Sequence, residues 1–182
     1  VRESPQWNAL PTHLKRVRKM VKKWPLDEGA DWPVLAPGIG RIYRKGYEAH
    51  SKARKNPNAE TLHDWRKRVK DLWHALELLR NARPAFFERR VLQAHELADL
   101  LGDDHDLAVL NAYLDSENLP VDSEMIRSLK TRITDRRVEL QRQAFLRGPM
   151  VYDESPKTYM ERLEAYWHAW RAEVHARRQP TL

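Results

Sequence analysis

His63, Arg66, Lys67, Lys70 and His74 stand at offsets 0, 3, 4, 7 and 11. On a helix turning about 100° per residue they share one face. Guanidinium and ammonium groups in such a row donate to phosphate or carboxylate oxygens, and imidazoles add donors whose charge changes near neutral pH. The chemistry this pattern offers is anion capture. Leu62, Trp65, Val69, Leu72, Leu76 and Leu79 occupy the far side as a core stripe. Asp64 and Asp71 fall on one flank, where they are not expected to neutralise the row, and only Glu77 rejoins its face. Arg68, about 140° from His63, lies off the row.

A second row precedes it. Arg41, Arg44, Lys45, Lys52 and Lys55 share a helix face with Glu48 as the single acid among them. A short Asn56-Pro57 turn separates the two helices, so they should pack antiparallel, and both rows are expected to line one positive groove. The charge balance agrees. Residues 1–70 hold seventeen Lys/Arg against seven Asp/Glu, whereas the remaining 112 residues hold sixteen against nineteen. Excess positive charge confined to one part of a chain points to an anionic partner. Lys15, Arg16, Arg18, Lys19, Lys22 and Lys23 spread around the polar side of an earlier helix and add a general field.

The elements that must position these rows are helical throughout. Leu10, Leu14, Val17, Val21 and Trp24 alternate at steps of four and three, predicting a helix that Pro25 ends. Residues 25–37 read as a Pro-rich loop, followed by helices over about 38–55 and 58–80, the latter capped by Asn58 or Thr61. Pro84 opens a fourth helix that Gly102 should close, and Asp103-Asp104 should begin a short fifth one reaching about Glu117. A sixth helix starts at Asp122 or Ser123 and stops at Gly148-Pro149, and Ser155-Pro156 opens the last. No window alternates with period two. The fold class is therefore all-α, an antiparallel helical bundle of about seven helices, with a basic helix and linker over 1–37 and the bundle over 38–182.

Composition removes several functions. A chain with Cys 0 has no disulfide, thiol nucleophile or cysteine-held metal centre. No apolar run approaches the roughly 20 residues of a membrane span, and VRESPQWNAL has no leader-like apolar stretch, so a cytoplasmic protein is expected. Val1 is not an initiator Met, so the chain is read as a fragment or a processed product. His95, Asp99, Asp103, Asp104, His105 and Asp106 invite a metal reading, and His63-Asp64 and His105-Asp106 match the dipeptides of HD-type phosphohydrolases. Adjacent helical residues diverge by about 100°, however, which argues against a shared metal. Nucleic acid is the other alternative, but the basic rows carry no interleaved aromatic residues for base stacking. Arg137 falls in line with Ile126, Ile133, Leu140 and Ala144 on a predicted buried face, so it must meet an anion or an acid such as Asp106.

The segment Leu62-His63-Asp64-Trp65-Arg66-Lys67-Arg68-Val69-Lys70 resembles the histidine motif of the CHAD family, the conserved histidine α-helical domains. Leu100-Leu101-Gly102-Asp103-Asp104-His105-Asp106-Leu107-Ala108-Val109-Leu110 is similar to that family's second conserved stretch. Gly40-Arg41-Ile42-Tyr43-Arg44-Lys45-Gly46 and Tyr166-Trp167-His168-Ala169-Trp170-Arg171 resemble its flanking helices, so the likeness covers roughly residues 38–175. Trp73-His74 stand where the family has a basic-aromatic pair. The resemblance implies a helical module that binds inorganic polyphosphate, with no catalytic residue, metal or cofactor, and an association with polyphosphate granules. Within it the two basic rows, with Arg137, are the expected phosphate contacts: Arg41, Arg44, Lys45, Lys52, His63, Arg66, Lys67, Lys70 and Arg137. One histidine motif is present where such modules carry two, so a second copy or a separate first half is expected as partner.

Overall fold

The computed structural model describes residues 5–22, 31–116 and 122–178. Among them there are six α-helices and no strand: α1 (Pro5–Val21), α2 (Trp32–Lys55), α3 (Ala59–Leu79), α4 (Pro84–Ser116), α5 (Ser123–Val151) and α6 (Pro156–Arg178), with one 3-10 turn at Arg80–Ala82. The fold is an all-α antiparallel bundle. No described helix is long and apolar enough to cross a membrane.

The starts follow local chemistry. Asp31 accepts from the Trp32 N–H at 2.7 Å, and Pro33 sits in the first turn, where a missing N–H costs nothing. The α2 helix therefore begins six residues before the predicted Gly38. Pro37 is carried inside it, at the loss of one backbone hydrogen bond to the Pro33 carbonyl. At α3, Asn58 and Thr61 act together: the Thr61 N–H donates to Asn58 Oδ1 at 3.0 Å, and the Asn58 N–H donates to Thr61 Oγ1 at 3.1 Å. Asp122 caps α5 through the Glu124 N–H at 3.0 Å, and Ser155 caps α6 through the Thr158 N–H.

Two predicted stops fail. The fourth and fifth predicted helices are one helix, α4, running through Gly102 without a break. Helix α5 runs past Gly148-Pro149 to Val151. In both places the glycine sits where another side chain crosses the helix. A Cβ on Gly148 would lie 2.5 Å from His50 Nε2 and 3.0 Å from Trp65 Cζ2. One on Gly102 would touch the Arg66 guanidinium at 3.5 Å.

The α3 helix packs between α2 and α4, α4 packs on α3 and α5, and α6 lies against α2. Trp65, Tyr43, Tyr159, Phe87 and Leu72 are fully buried where these helices meet. Each such side chain contributes roughly 1.5–3 kcal/mol through removal of apolar surface from water. Tyr43 stacks on Tyr159 at 3.8 Å, and Trp32 packs on Trp167, whose indole N–H donates to Asp31. The Trp167 and Trp32 donors hold the Asp31 carboxyl below its ordinary pKa.

Candidate polyanion-binding groove

The Leu/Val/Trp stripe of α3 is buried, which turns the His63–Lys70 row toward the edge shared with α4. Contacts along that edge form an antiparallel ladder. His63 stacks on His105 with ring centroids 4.3 Å apart. Three residues on, Arg66 crosses Gly102. One turn beyond Lys70, Trp73 meets His95 edge-to-face at 4.4 Å and stacks on His74 at 4.7 Å. His95 Nδ1 lies 2.9 Å from the Asp99 carboxylate.

Three nitrogens in this ladder, Arg66 Nε, His63 Nδ1 and Trp73 Nε1, are shielded from solvent and have no hydrogen-bond partner. Lys70, half-buried beside them, has no ion pair or hydrogen bond among the described residues. Leaving a buried polar group unmatched costs about 1–3 kcal/mol; His50, Trp65 and Tyr152 are unmatched too, but they lie in the core, whereas Arg66 and His63 belong to the basic row. Burial comes first in pushing the His63 pKa below its ordinary value, followed by the neighbouring His105, Lys67 and Arg66. The ring is thus neutral near pH 7.

The flanking acids do more than expected. Asp64 lies 3.5 Å from Lys67 and 3.6 Å from Arg68, and Asp71 pairs with Arg68 at 3.2 Å. Lys67 therefore shares an acid at i,i−3 spacing, and the flank is not isolated from the row. These pairs are solvent-exposed and weak, so Lys67 remains available to a stronger anion.

Of the two basic rows, Arg44 of the first stands on the α6 side of α2, apart from the second. Arg41, Arg44, Lys45 and Lys52 are all exposed on α2, without ion pairs among the described residues. Arg44 lines a cleft of about 910 Å³ between α2 and α6, where Glu161 and Glu164 also stand. The α3 row instead faces α4. Arg137 is half-buried rather than buried, and it meets an acid, Asp104 rather than Asp106: Arg137 Nε donates to Asp104 Oδ1 at 3.0 Å, and Gln141 donates to the same oxygen at 2.8 Å. Asp104 is 2 % exposed in the middle of α4, so it fastens α5 to α4 and does not complete a helix N-terminus.

Gly102 and His105 are the site residues that periodicity alone does not single out. Their signal was present as spacing: His95, Gly102 and His105 lie at offsets 0, 7 and 10, one helix face opposite the α3 row. No group of three or more His, Cys, Asp or Glu side chains among the described residues is arranged to hold a metal ion.

The sequence profile of the CHAD domain matches residues 2–115, from upstream of α1 to the last turn of α4. That span begins well before residue 38 and stops short of α5 and α6. No curated protein and no solved structure gives a significant match to the chain. The histidine row, the Gly102–Asp106 stretch facing it and this match over more than half the chain converge: the chain belongs to the CHAD family.

Proposed function

We propose that this protein binds inorganic polyphosphate, without catalysing a reaction, along the edge where α3 meets α4, with His63, Arg66, Lys67 and Lys70 as its principal contacts. The observation that carries the reading is the pair of buried, unmatched nitrogens in the basic row, Arg66 Nε and His63 Nδ1. A phosphate chain supplies an acceptor oxygen at every repeat and needs no base-stacking surface. Arg41, Lys45 and Lys52 add a positive field from the outer face of α2, and Arg44 does so from the α2–α6 cleft. Arg137 acts through Asp104, holding α5 against the helix that carries His105.

Titration of the full chain with medium-length polyphosphate at several salt concentrations tests this. Affinity should fall steeply with salt as condensed counterions are released. Replacing Arg66, Lys67 and Lys70 together by Ala should abolish measurable binding, each contact contributing on the order of 1–3 kcal/mol before non-additivity. Arg68→Ala is the control, since its guanidinium is engaged by Asp64 and Asp71. Equal losses from Arg68→Ala and Lys70→Ala, or equal competition by single-stranded DNA, would mean a diffuse basic surface instead.

A further inference from the structure

The basic row of α3 changes character at its far end. His63, Arg66, Lys67 and Lys70 offer hydrogen-bond donors and charge over about 10 Å of helix. The next residue in line, one turn on, is His74. Its ring stacks on Trp73, with centroids 4.7 Å apart and planes 26° apart. Trp73 is half-buried, packs against the core and meets His95 of α4 edge-to-face at 4.4 Å, so it is held in place. Its Nε1 is shielded from solvent and has no hydrogen-bond partner. His74 lies on the outside of this pair and is exposed. An imidazole backed by a fixed indole is a flat aromatic platform whose outer face is open.

Charge changes at the same place. Three residues past His74 the line reaches Glu77, whose carboxylate lies 3.7 Å from Arg80. A phosphate chain meets cations as far as Lys70, and beyond them an aromatic face and then an acid. A ligand that fits the whole line is therefore anionic at the His63 end and aromatic at the His74 end. About 6 Å of helix separates Lys70 from His74, enough for one ribose between a phosphate and a base. Nucleobases stack on histidine as on other aromatic side chains, and the affinity this adds needs no contact with the base edge.

We propose that the α3 row ends in a nucleobase platform, so that the site takes nucleoside polyphosphates, with phosphates along His63–Lys70 and the base on His74. The inference rests on the polyphosphate reading of the row and adds a second class of ligand to it. A platform at the end of the row serves a single base and gives single-stranded DNA no track for successive bases.

Isothermal titration of the full chain with ATP, inorganic tripolyphosphate and medium-length polyphosphate tests this. ATP and tripolyphosphate hold the same number of phosphates, and tripolyphosphate has the greater charge, so a preference for ATP reads the nucleoside alone. ATP should bind at least about fivefold tighter, the low end of what stacking one base supplies. His74→Ala should remove that preference and leave tripolyphosphate affinity unchanged, while His74→Phe should keep it. Lys70→Ala should weaken both ligands by the same factor. His74 is exposed, so its replacement leaves the core intact, which far-ultraviolet circular dichroism checks. ATP that binds no tighter than tripolyphosphate, or not at all where long polyphosphate binds, overturns the inference and leaves the polyphosphate reading standing. A preference for ATP that survives His74→Ala overturns it as well. Equal losses of ATP and tripolyphosphate in His74→Ala make His74 a phosphate contact and overturn it too. A chain that binds none of the three ligands overturns both readings.

Discussion

Replacing one helical glycine after another by alanine should change stability in opposite directions, because their surroundings differ. In a helix interior the substitution gains up to about 1 kcal/mol from reduced freedom of the unfolded chain. Gly38 has nothing within 4 Å of where its Cβ would stand, so the full gain should appear. At Gly148 the new methyl would lie 2.5 Å from His50 Nε2, 2.9 Å from His50 Cδ2 and 3.0 Å from Trp65 Cζ2. Both rings are buried, at 6 % and 0 % exposure, so neither can swing away. At a contact this short, overpacking costs about 2–3 kcal/mol, the upper part of its usual range, and outweighs the propensity gain by about 1–2 kcal/mol. For a chain of this size each kcal/mol moves Tm by about 2–4 °C. Gly38→Ala should therefore melt about 1–4 °C above the parent and Gly148→Ala about 2–8 °C below it, in scanning calorimetry with urea unfolding as a check. A Gly148→Ala protein as stable as the parent would show that α2 and α5 do not approach through that glycine.

Gly102→Leu should weaken polyphosphate binding at least tenfold by displacing Arg66 while leaving Tm at or above the parent value. Gly102→Ala should keep its affinity, since a Cβ at 3.5 Å is an ordinary contact; isothermal titration separates the two. Burial and the Arg54 charge push the His50 pKa down to about 4, so the unfolded chain takes up the proton first. His50's contribution is whole above about pH 6.5 and is lost as pH falls toward 4, roughly 3 kcal/mol in all; urea unfolding of His50→Gln should lack that portion of the pH slope. Asp104→Ala strands the Arg137 and Gln141 donors and should cost about 3 kcal/mol in chemical denaturation, whereas Asp104→Leu/Arg137→Met should recover much of the loss. A bound polyanion favours protonated His63, whose free pKa lies below the ordinary value, so affinity should rise as pH is lowered from 7.5 toward 5.5 and stay flat in His63→Asn.

The α3 row was legible because a single helix fixes the angles among its own residues. Which neighbour that row faces was not, since periodicity says nothing about packing order: Arg44 turned to α6, and Arg66 to α4. Gly102 and Gly148 were misread as stops for a related reason. Glycine ends helices and also admits a crossing side chain, and only the position of Arg66 or His50 distinguishes the two uses. Arg137's need for an acid followed from its place on a buried stripe. The choice of Asp104 depended on α4 running unbroken, which turns that carboxylate inward. Asn58 and Thr61 were both readable as caps, being local in sequence, but that they act together, Asn58 as cap and Thr61 returning the bond, was not.

The indole cluster at the α2–α6 seam has a spectroscopic consequence. Trp32 and Trp167 lie 6.2 Å apart at 37°, and Trp167 and Trp170 lie 5.1 Å apart at 58°. Transition dipoles this close and neither parallel nor perpendicular couple as excitons, which gives the near-ultraviolet circular dichroism a split band of its own. Because Trp32 comes from α2 and Trp167 from α6, their share of the band exists only while those two helices are in register, whereas the Trp167–Trp170 share needs α6 alone. The decay of the Trp32–Trp167 share during unfolding times the separation of the α6 strap from α2, independently of the helical signal from the rest of the chain.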